Sequence, residues 1–219
     1  MMLSRMRTRS VVAAGRQVMS SAAAHHRVSA LGSARRGLAT IWVLSAMPVV
    51  MTLLVMIIDA GNLWVARTEL KNALDAGALS GAKTWGEGGS TAQARLDAQD
   101  AFTTNTILGT QYSLSTVPGG CSNGNPSPSA TAEILLGTIT TGGSGFVFNC
   151  DTTPTCAVPG VESFSVRTRK TISVPSAAST FLGFSVNPYQ VTSQSYARYA
   201  CSSGPPQLIH VNTYACGCP

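Results

Sequence analysis

The side chains that could do chemistry in this chain are few, and they form no recognisable catalytic set. Two of the three histidines, His25 and His26, lie near the start and His210 lies near the end, so no HExxH zinc motif exists. The Gly-Gly-Ser-Gly run at 142–145 is followed by Phe146, where a nucleophile elbow needs glycine. The nine acidic residues show no paired spacing. These observations predict a protein that is not an enzyme and has no cofactor.

The cysteines favour disulfides. They are even in number and confined to the second half of the chain, as expected of a domain in an oxidising compartment: Cys121, Cys150, Cys156, Cys201, Cys216 and Cys218. Cys150 and Cys156 flank a short turn and are predicted to pair locally, whereas Cys216 and Cys218 are too close to pair with each other. The alternative is a metal site of His210, Cys216 and Cys218, which lacks a CxxC pair or a second histidine at ligand spacing.

An uncharged apolar segment, residues 37–58, follows a pair of arginines. Its 22 residues would extend about 33 Å as a helix, enough to cross a bilayer. Proline is tolerated inside such helices, so Pro48 does not contradict this interpretation. The run is longer than a signal peptide's, and Asp59 stands where a cleavage site needs a small residue, so we expect the segment to be retained. Asp59 itself is either a solvated charge at the boundary or a functional acid.

Charge predicts the orientation. Residues 1–36 contain seven arginines and no acidic residue, whereas the rest of the chain is nearly neutral. This asymmetry predicts a cytoplasmic N-terminus and a C-terminal domain across the membrane, periplasmic or extracellular. Because the net charge of +6 comes from this tail rather than from a folded face, nucleic-acid binding is not predicted.

Beyond the apolar segment, residues 59–85 keep a helical period. One face consists of apolar or small residues, and the polar residues lie away from it. That face holds Leu63, Ala66, Leu70, Ala73, Leu74, Gly77 and Gly81, whereas Asn62, Thr68, Asn72 and Asp75 lie off it. Arg67, a charged residue, falls on the apolar face. The Gly77 and Gly81 spacing permits a close neighbour, either the chain's own β domain or a partner helix.

The remaining chain is read as helix, then strands. Gly86, Gly88 and Gly89 should end the long helix, and Ser90 or Thr91 should cap a second one running to Thr103. Strands are predicted at 112–117, 131–139, 145–149, 161–174 and 190–200. The fold class is therefore α+β: a disordered basic tail (1–36), a transmembrane helix (37–58) continuing into a long amphipathic helical segment (59–105), a small β-rich disulfide-bearing ectodomain (106–200) and a Cys-rich tail (201–219).

Residues 37–82 resemble the TadE/TadG-like N-terminal module of Flp (tight-adherence) pilus-assembly proteins. The family pattern is a basic pair and glycine, an apolar helix with proline, Asp-x-Gly, an aromatic residue, Ala-Arg, and an Ala-rich run ending in Gly-Ala. Here it is matched by Arg35-Arg36-Gly37, Pro48, Asp59-Ala60-Gly61, Trp64, Ala66-Arg67 and the run 70–82, which contains Leu70, Asn72, Ala73, Asp75, Gly77 and Gly81. A weaker likeness to TadG-type ectodomains covers 166–200.

The resemblance implies an accessory protein of the Flp pilus machinery in the bacterial inner membrane, acting by binding and assembly. It implies as partners the membrane, other Tad or Flp components, and a homo- or hetero-oligomer formed through the N-terminal helix. The alternative is a minor pseudopilin cleaved between Gly37 and Leu38, although Trp42 occupies the position where processed pilins usually have glutamate. A membrane-anchored secreted hydrolase lacks a nucleophile–base pair, and no DxSxS adhesion motif occurs.

Overall fold

The computed structural model describes residues 31–126, 132–142, 145–150, 152–156, 162–183, 185, 187–201 and 204–216. The chain divides into two units, one ending at Val50 and the other beginning at Met51. The fold class is α+β, as predicted: a long N-terminal helix followed by a β-rich region.

Helix α1 runs from Leu31 to Gly86 and contains Pro48. Residues 31–36 were predicted to be disordered, and they are helical because a long helix propagates readily into residues such as alanine and arginine. The predicted end at Gly86 is confirmed. Among the described residues α1 is the one helix long and apolar enough to cross a membrane, by length and composition. Nearly all its large apolar side chains from Ile41 to Ile57 are exposed.

Helix α2, Thr91–Thr103, begins where predicted, because the Ser90 side chain accepts a hydrogen bond from the Gln93 N–H and caps the helix. A two-residue hairpin follows, with β1 at Thr106–Ile107 and β2 at Thr110–Gln111.

The predicted strand at 112–117 is wrong. Burial does alternate there, since Leu114 is buried between more exposed neighbours. The backbone N–H of Ser115, however, donates to the Glu133 carboxylate (2.7 Å) rather than to a neighbouring strand. Residues 112–117 therefore belong to no strand.

The main sheet has six strands. They are β3 (Ile134–Gly142), β4 (Gly145–Cys150), β5 (Ser163–Val174), β6 (Tyr189–Ala200), β7 (Gln207–Leu208) and β8 (Thr213–Ala215), in the order β7-β6-β5-β3-β4-β8. Neighbours are antiparallel except β8, which is parallel to β4. The short helix α3, Ala177–Leu182, connects β5 to β6.

Most of the predicted strands are present. Those predicted at 145–149, 161–174 and 190–200 correspond to β4, β5 and β6, although β5 begins at Ser163 and residue 161 lies outside the described residues. The strand predicted at 131–139 is displaced towards the C-terminus and forms β3, and residue 131 lies outside the described residues. Strands β7 and β8 come from a region where the sequence showed no pattern.

Each face of the sheet has its own core. On one face α1 and α2 pack through a cluster that includes Leu70, Leu74, Phe102 and Val166. On the other face Leu135, Ile139 and Phe148 are buried, with Tyr196 and Tyr214 packed against them. The sheet is therefore covered by helices on one side and by its own aromatic side chains on the other.

A buried amide links α2 to the sheet. The Asn125 side chain accepts from the N–H of Leu136 (3.0 Å) and donates to its carbonyl (2.7 Å), as a peptide group of an adjacent strand would. The same oxygen accepts from the Arg95 guanidinium of α2 (2.7 Å). One carboxamide thus satisfies both backbone groups of Leu136 where β4 does not reach them.

Candidate interaction surface

The half of α1 that follows the apolar segment packs lengthwise against β5. Trp85 meets Phe164 edge-on at 5.2 Å between ring centroids. One turn back along α1, Gly81 faces Val166, and the Thr168 hydroxyl donates to the Leu74 carbonyl (2.8 Å). In these contacts the residue numbers increase along β5 as they decrease along α1, so the two elements are antiparallel. The end of β5 therefore reaches the part of α1 nearest the apolar segment.

Gly77 and Gly81 allow α2 to lie against α1. A Cβ at Gly77 would stand 2.8 Å from the Ala98 carbonyl oxygen, and one at Gly81 would stand 3.0 Å from the Ala94 carbonyl oxygen. Real Cβ atoms hardly ever come so close to backbone oxygens, so the contact depends on glycine. The close neighbour that this spacing permits is therefore the chain's own helix and sheet.

Asp59 is held by the β-rich region. Asp59 is buried, at 8% exposed, and its carboxylate accepts hydrogen bonds from the Ser176 hydroxyl (2.7 Å) and the Ala177 N–H. These hydrogen bonds from Ser176 and Ala177 lower the pKa of Asp59 below its ordinary value. Ser176 also caps α3 by accepting from the Ala178 N–H (3.1 Å). The interpretation of Asp59 as a solvated helix-end charge is therefore wrong, because the residue is buried. The hydrogen bonds from Ser176 and Ala177 compensate the carboxylate for the loss of water.

Asp75 joins α1 to strand β6. It forms an ion pair with Lys71 one turn earlier and accepts a hydrogen bond from the Ser195 hydroxyl of β6. Leu70 and Ala73 are fully buried, whereas Asn72 is exposed. The amphipathic face predicted for α1 is thus confirmed.

The other predicted residues lie apart from this packing. Gly37 and Leu38, the candidate processing site, are helical, and Pro48 is an exposed helix residue. Gly61 is also exposed, and a Cβ there would meet nothing within 4 Å. These positions are therefore not part of the contact between α1 and the domain.

The disulfides connect segments distant in sequence. Cys150 pairs with Cys216 (Cα–Cα 4.8 Å) and Cys156 pairs with Cys201 (5.4 Å), while Cys121 is also disulfide-bonded. The predicted Cys150–Cys156 pair is wrong. The parallel pairing of β8 with β4 aligns residue 215 with residue 149 and so brings Cys216 beside Cys150.

The predicted alternative, a metal site of His210, Cys216 and Cys218, is wrong because Cys216 is in a disulfide. The sulfur of Cys216 is bonded to Cys150 and is not available as a thiolate ligand. Cys218 lies outside the described residues. Within the described ranges no group of three or more His, Cys, Asp or Glu side chains could hold a metal ion.

The segment carrying Cys156 is fixed by Glu162. The Glu162 carboxylate accepts from the N–H (2.8 Å) and the hydroxyl (3.1 Å) of Thr155, and from the N–H of Cys156 (3.2 Å). These bonds from Thr155 lower the pKa of Glu162. They hold Thr155 and Cys156 beside Glu162, with Cys156 in a left-handed conformation at φ 54°.

A basic groove lies between α1 and the edge of β6, and sequence reasoning did not predict it. It consists of two adjoining depressions of about 410 and 510 Å³ that share Arg67 and Ser193. Its other lining residues are Trp64, Thr68, Lys71 and Asn72 on α1, Arg169 on β5, and Thr192 and Gln194 on β6. Arg67, which looked like an intrusion on an apolar stripe, is exposed and lines this groove.

Fold and contacts define a class: an α+β protein in which one long apolar helix continues into the framework of a disulfide-bonded β-rich domain. The comparison with known families agrees. Residues 37–84 match the Tad family model, described as Flp pilus-assembly TadE/G-like. The chain therefore carries the N-terminal module predicted from its motifs and is related to Flp pilus assembly. No curated protein and no solved structure matches the chain. The Tad family is generally non-enzymatic.

Proposed function

We propose that this protein is a membrane-anchored accessory component of the Flp pilus machinery that acts by binding and assembly. The observation that carries the proposal is the match of residues 37–84, the module that includes the apolar part of α1. The N-terminal tail would be cytoplasmic and the domain periplasmic or extracellular, because the arginines precede the apolar segment.

The packing of α1 favours the apolar segment as the place where partner helices bind. The face with Leu74, Gly77 and Gly81 is already covered by the chain's own α2 and β5. In contrast, apolar side chains such as Leu44 (65% exposed) and Leu53 (56% exposed) have lipid or other helices as their natural surroundings. Other Tad components or a second copy of this chain would bind there.

The test exchanges the segment while keeping the domain. A variant has residues 38–57 replaced by an unrelated apolar helix of equal length, and both proteins are purified from native membranes with their bound Tad components. We expect the variant to remain membrane-bound and folded, with co-purification of those components lost. Wild-type protein that recovers no Tad component would contradict the proposal, and a variant that still recovers them would place the partner site on the domain.

Intact mass of the purified protein separates this function from the pseudopilin alternative. An anchored accessory protein should keep residues 1–37, whereas a processed pseudopilin would begin at Leu38. Presence of the shortened form in isolated pili would favour the pseudopilin.

A further inference from the structure

The buried face of α1 extends into the apolar segment. Val55 is 6% exposed, although Leu53 and Ile57 on either side of it are exposed. It lies one turn before Asp59 on the same face of α1, because residues four apart share a face. A valine on a bare helix would be as exposed as these neighbours, so another part of the chain covers it. The packed face of α1 therefore includes the last turn of the segment 37–58.

Helix α3 is the part of the β-rich domain that reaches this level. The Asp59 carboxylate accepts from the Ser176 hydroxyl and the Ala177 N–H at the start of α3. Distances along the two packed elements agree with this contact. Thr168 bonds to Leu74, which is about 22 Å along α1 from Asp59, and the eight extended residues from Thr168 to Ser176 cover about 26 Å. Strand β5 thus runs beside α1 as far as the end of the apolar segment and places α3 there.

Phe181 of α3 is exposed at the level of the membrane interface. Its side chain is 69% exposed, and it follows Ala177 by four residues, or about 6 Å along α3. The headgroup zone extends roughly 5–8 Å beyond the hydrocarbon on each side. Because Asp59 directly follows the apolar segment, Phe181 lies at the level of the headgroups even if α3 tilts away from the bilayer. Tyr189, which is also exposed, pairs with Val174 at the end of β5 and belongs to the same end of the domain.

The sequence at this end of the domain gives independent support. Residues 171–197 contain no Asp, Glu, Lys or Arg, although 11% of the whole chain is charged. The stretch includes the end of β5, all of α3 and most of β6. A protein surface that faces water ordinarily carries charged side chains, whereas a surface that enters the membrane interface is favoured by their absence, because charges lose hydration there. Exposed aromatic side chains in uncharged surroundings are typical of that interface.

We propose that the end of the β-rich domain formed by α3 and the start of β6 rests on the lipid surface, with Phe181 inserted into the leaflet at which α1 leaves the bilayer. The occupant of this face is the bilayer itself, because the face is continuous with the apolar segment. The inference rests on the membrane anchoring in the proposed function. Attachment through both α1 and Phe181 would fix the tilt of the domain relative to the membrane surface.

The test is photo-crosslinking of the full chain in native membranes. A benzophenone analogue of phenylalanine replaces Phe181, and the adducts formed on irradiation are identified by mass spectrometry of the digested protein. We expect phospholipid adducts at position 181. Burial of a phenylalanine side chain favours the inserted position by about tenfold or more, so the yield should exceed that of a water-exposed control by about this factor. An unchanged melting temperature shows that each labelled protein is folded.

Leu96 is the matched control position, because it is an exposed apolar residue on the helix that packs against Gly77 and Gly81. It therefore lies about 30 Å beyond Asp59 along α1. Lipid adducts in equal yield at positions 181 and 96 would overturn the proposal in favour of unspecific reaction with lipid. Protein adducts in place of lipid at position 181 would overturn it in favour of a protein partner.

A third position separates this inference from the anchoring on which it rests. The same analogue is placed at Ile57, which is exposed within the apolar segment. Lipid adducts at position 57 without any at 181 would overturn the inference and leave the anchoring intact. Absence of lipid adducts at both positions would overturn the anchoring and the inference with it.

Discussion

Gly77 is the position where a single added side chain should damage the domain most directly. A Cβ there would stand 2.8 Å from the Ala98 carbonyl oxygen, 3.4 Å from the Phe102 Cβ and 3.6 Å from the Thr168 methyl group. The first contact is with backbone, so α2 as a whole would have to move. Since Phe102 is fully buried, that movement would disturb the core as well.

Two effects oppose each other in Gly77→Leu. Replacing glycine inside a helix gains up to about 1 kcal/mol of helix propensity. Overpacking typically costs about 1–3 kcal/mol, and a leucine adds three carbons beyond a Cβ that already collides. We therefore place the cost at or above the upper end of that range and expect a net destabilisation of about 2 kcal/mol. For a domain of this size the melting temperature should fall by about 4–8 °C.

Gly61→Leu is the matched control on the same helix. Nothing lies within 4 Å of a Cβ at Gly61, so only the gain in helix propensity applies. Thermal unfolding of the full chain in detergent can be followed by tryptophan fluorescence. The change should come from Trp85, which is 4% exposed and packs on Phe164, because Trp42 and Trp64 are already exposed in the folded protein. Gly77→Leu should melt earlier and be cleaved faster by protease, while Gly61→Leu should melt no earlier than the wild type.

The outcome that would refute the reasoning is equal stability of the two variants. It would mean that α2 can move away from α1 at little cost, so that the glycine is not required by the contact. Gly81→Ala provides an intermediate point, because its Cβ would stand 3.0 Å from both the Ala94 oxygen and the Ala98 Cβ. Its destabilisation should be smaller than that of Gly77→Ala.

Three further perturbations have expected outcomes. Asp59→Asn should loosen α3 and increase proteolysis between β5 and β6 at neutral pH. Because the pKa of the folded carboxyl is lowered, its contribution to the free energy of unfolding is present above pH 3.8 and is lost as the pH falls through the folded pKa. The melting temperatures of wild type and variant should therefore converge in acid. Asn125→Leu removes the partner of both backbone groups of Leu136 and should cost about 2–4 kcal/mol in urea unfolding, and a variant as stable as wild type would show that water replaces the amide. Replacing both Cys150 and Cys216 by serine should remove about 4 kcal/mol, given the separation of 66 residues, and an unchanged unfolding midpoint would contradict a stabilising role for this bridge.

What the sequence determined by itself is local. The helical period of residues 59–85 predicted the buried face of α1, because side chains three and four residues apart share a face whatever they pack against. Ser90 predicted the start of α2 through a bond to a residue three positions later. Strands β5 and β6 were predicted from local composition, with partial alternation in β5, and the apolar segment was predicted from its length.

Only the tertiary structure decided which distant residues meet. Cys150 pairs with a residue 66 positions away rather than six, because β8 aligns with β4. Asp59 finds Ser176 across 117 residues, which turns an apparent boundary charge into a buried, hydrogen-bonded carboxylate. Arg67 and Arg169 line one groove only because β5 lies against α1 and β6 pairs with β5 beside it. Periodicity records the environment of one element at a time, whereas these contacts depend on strand order and register, which are set by the packing of the whole domain.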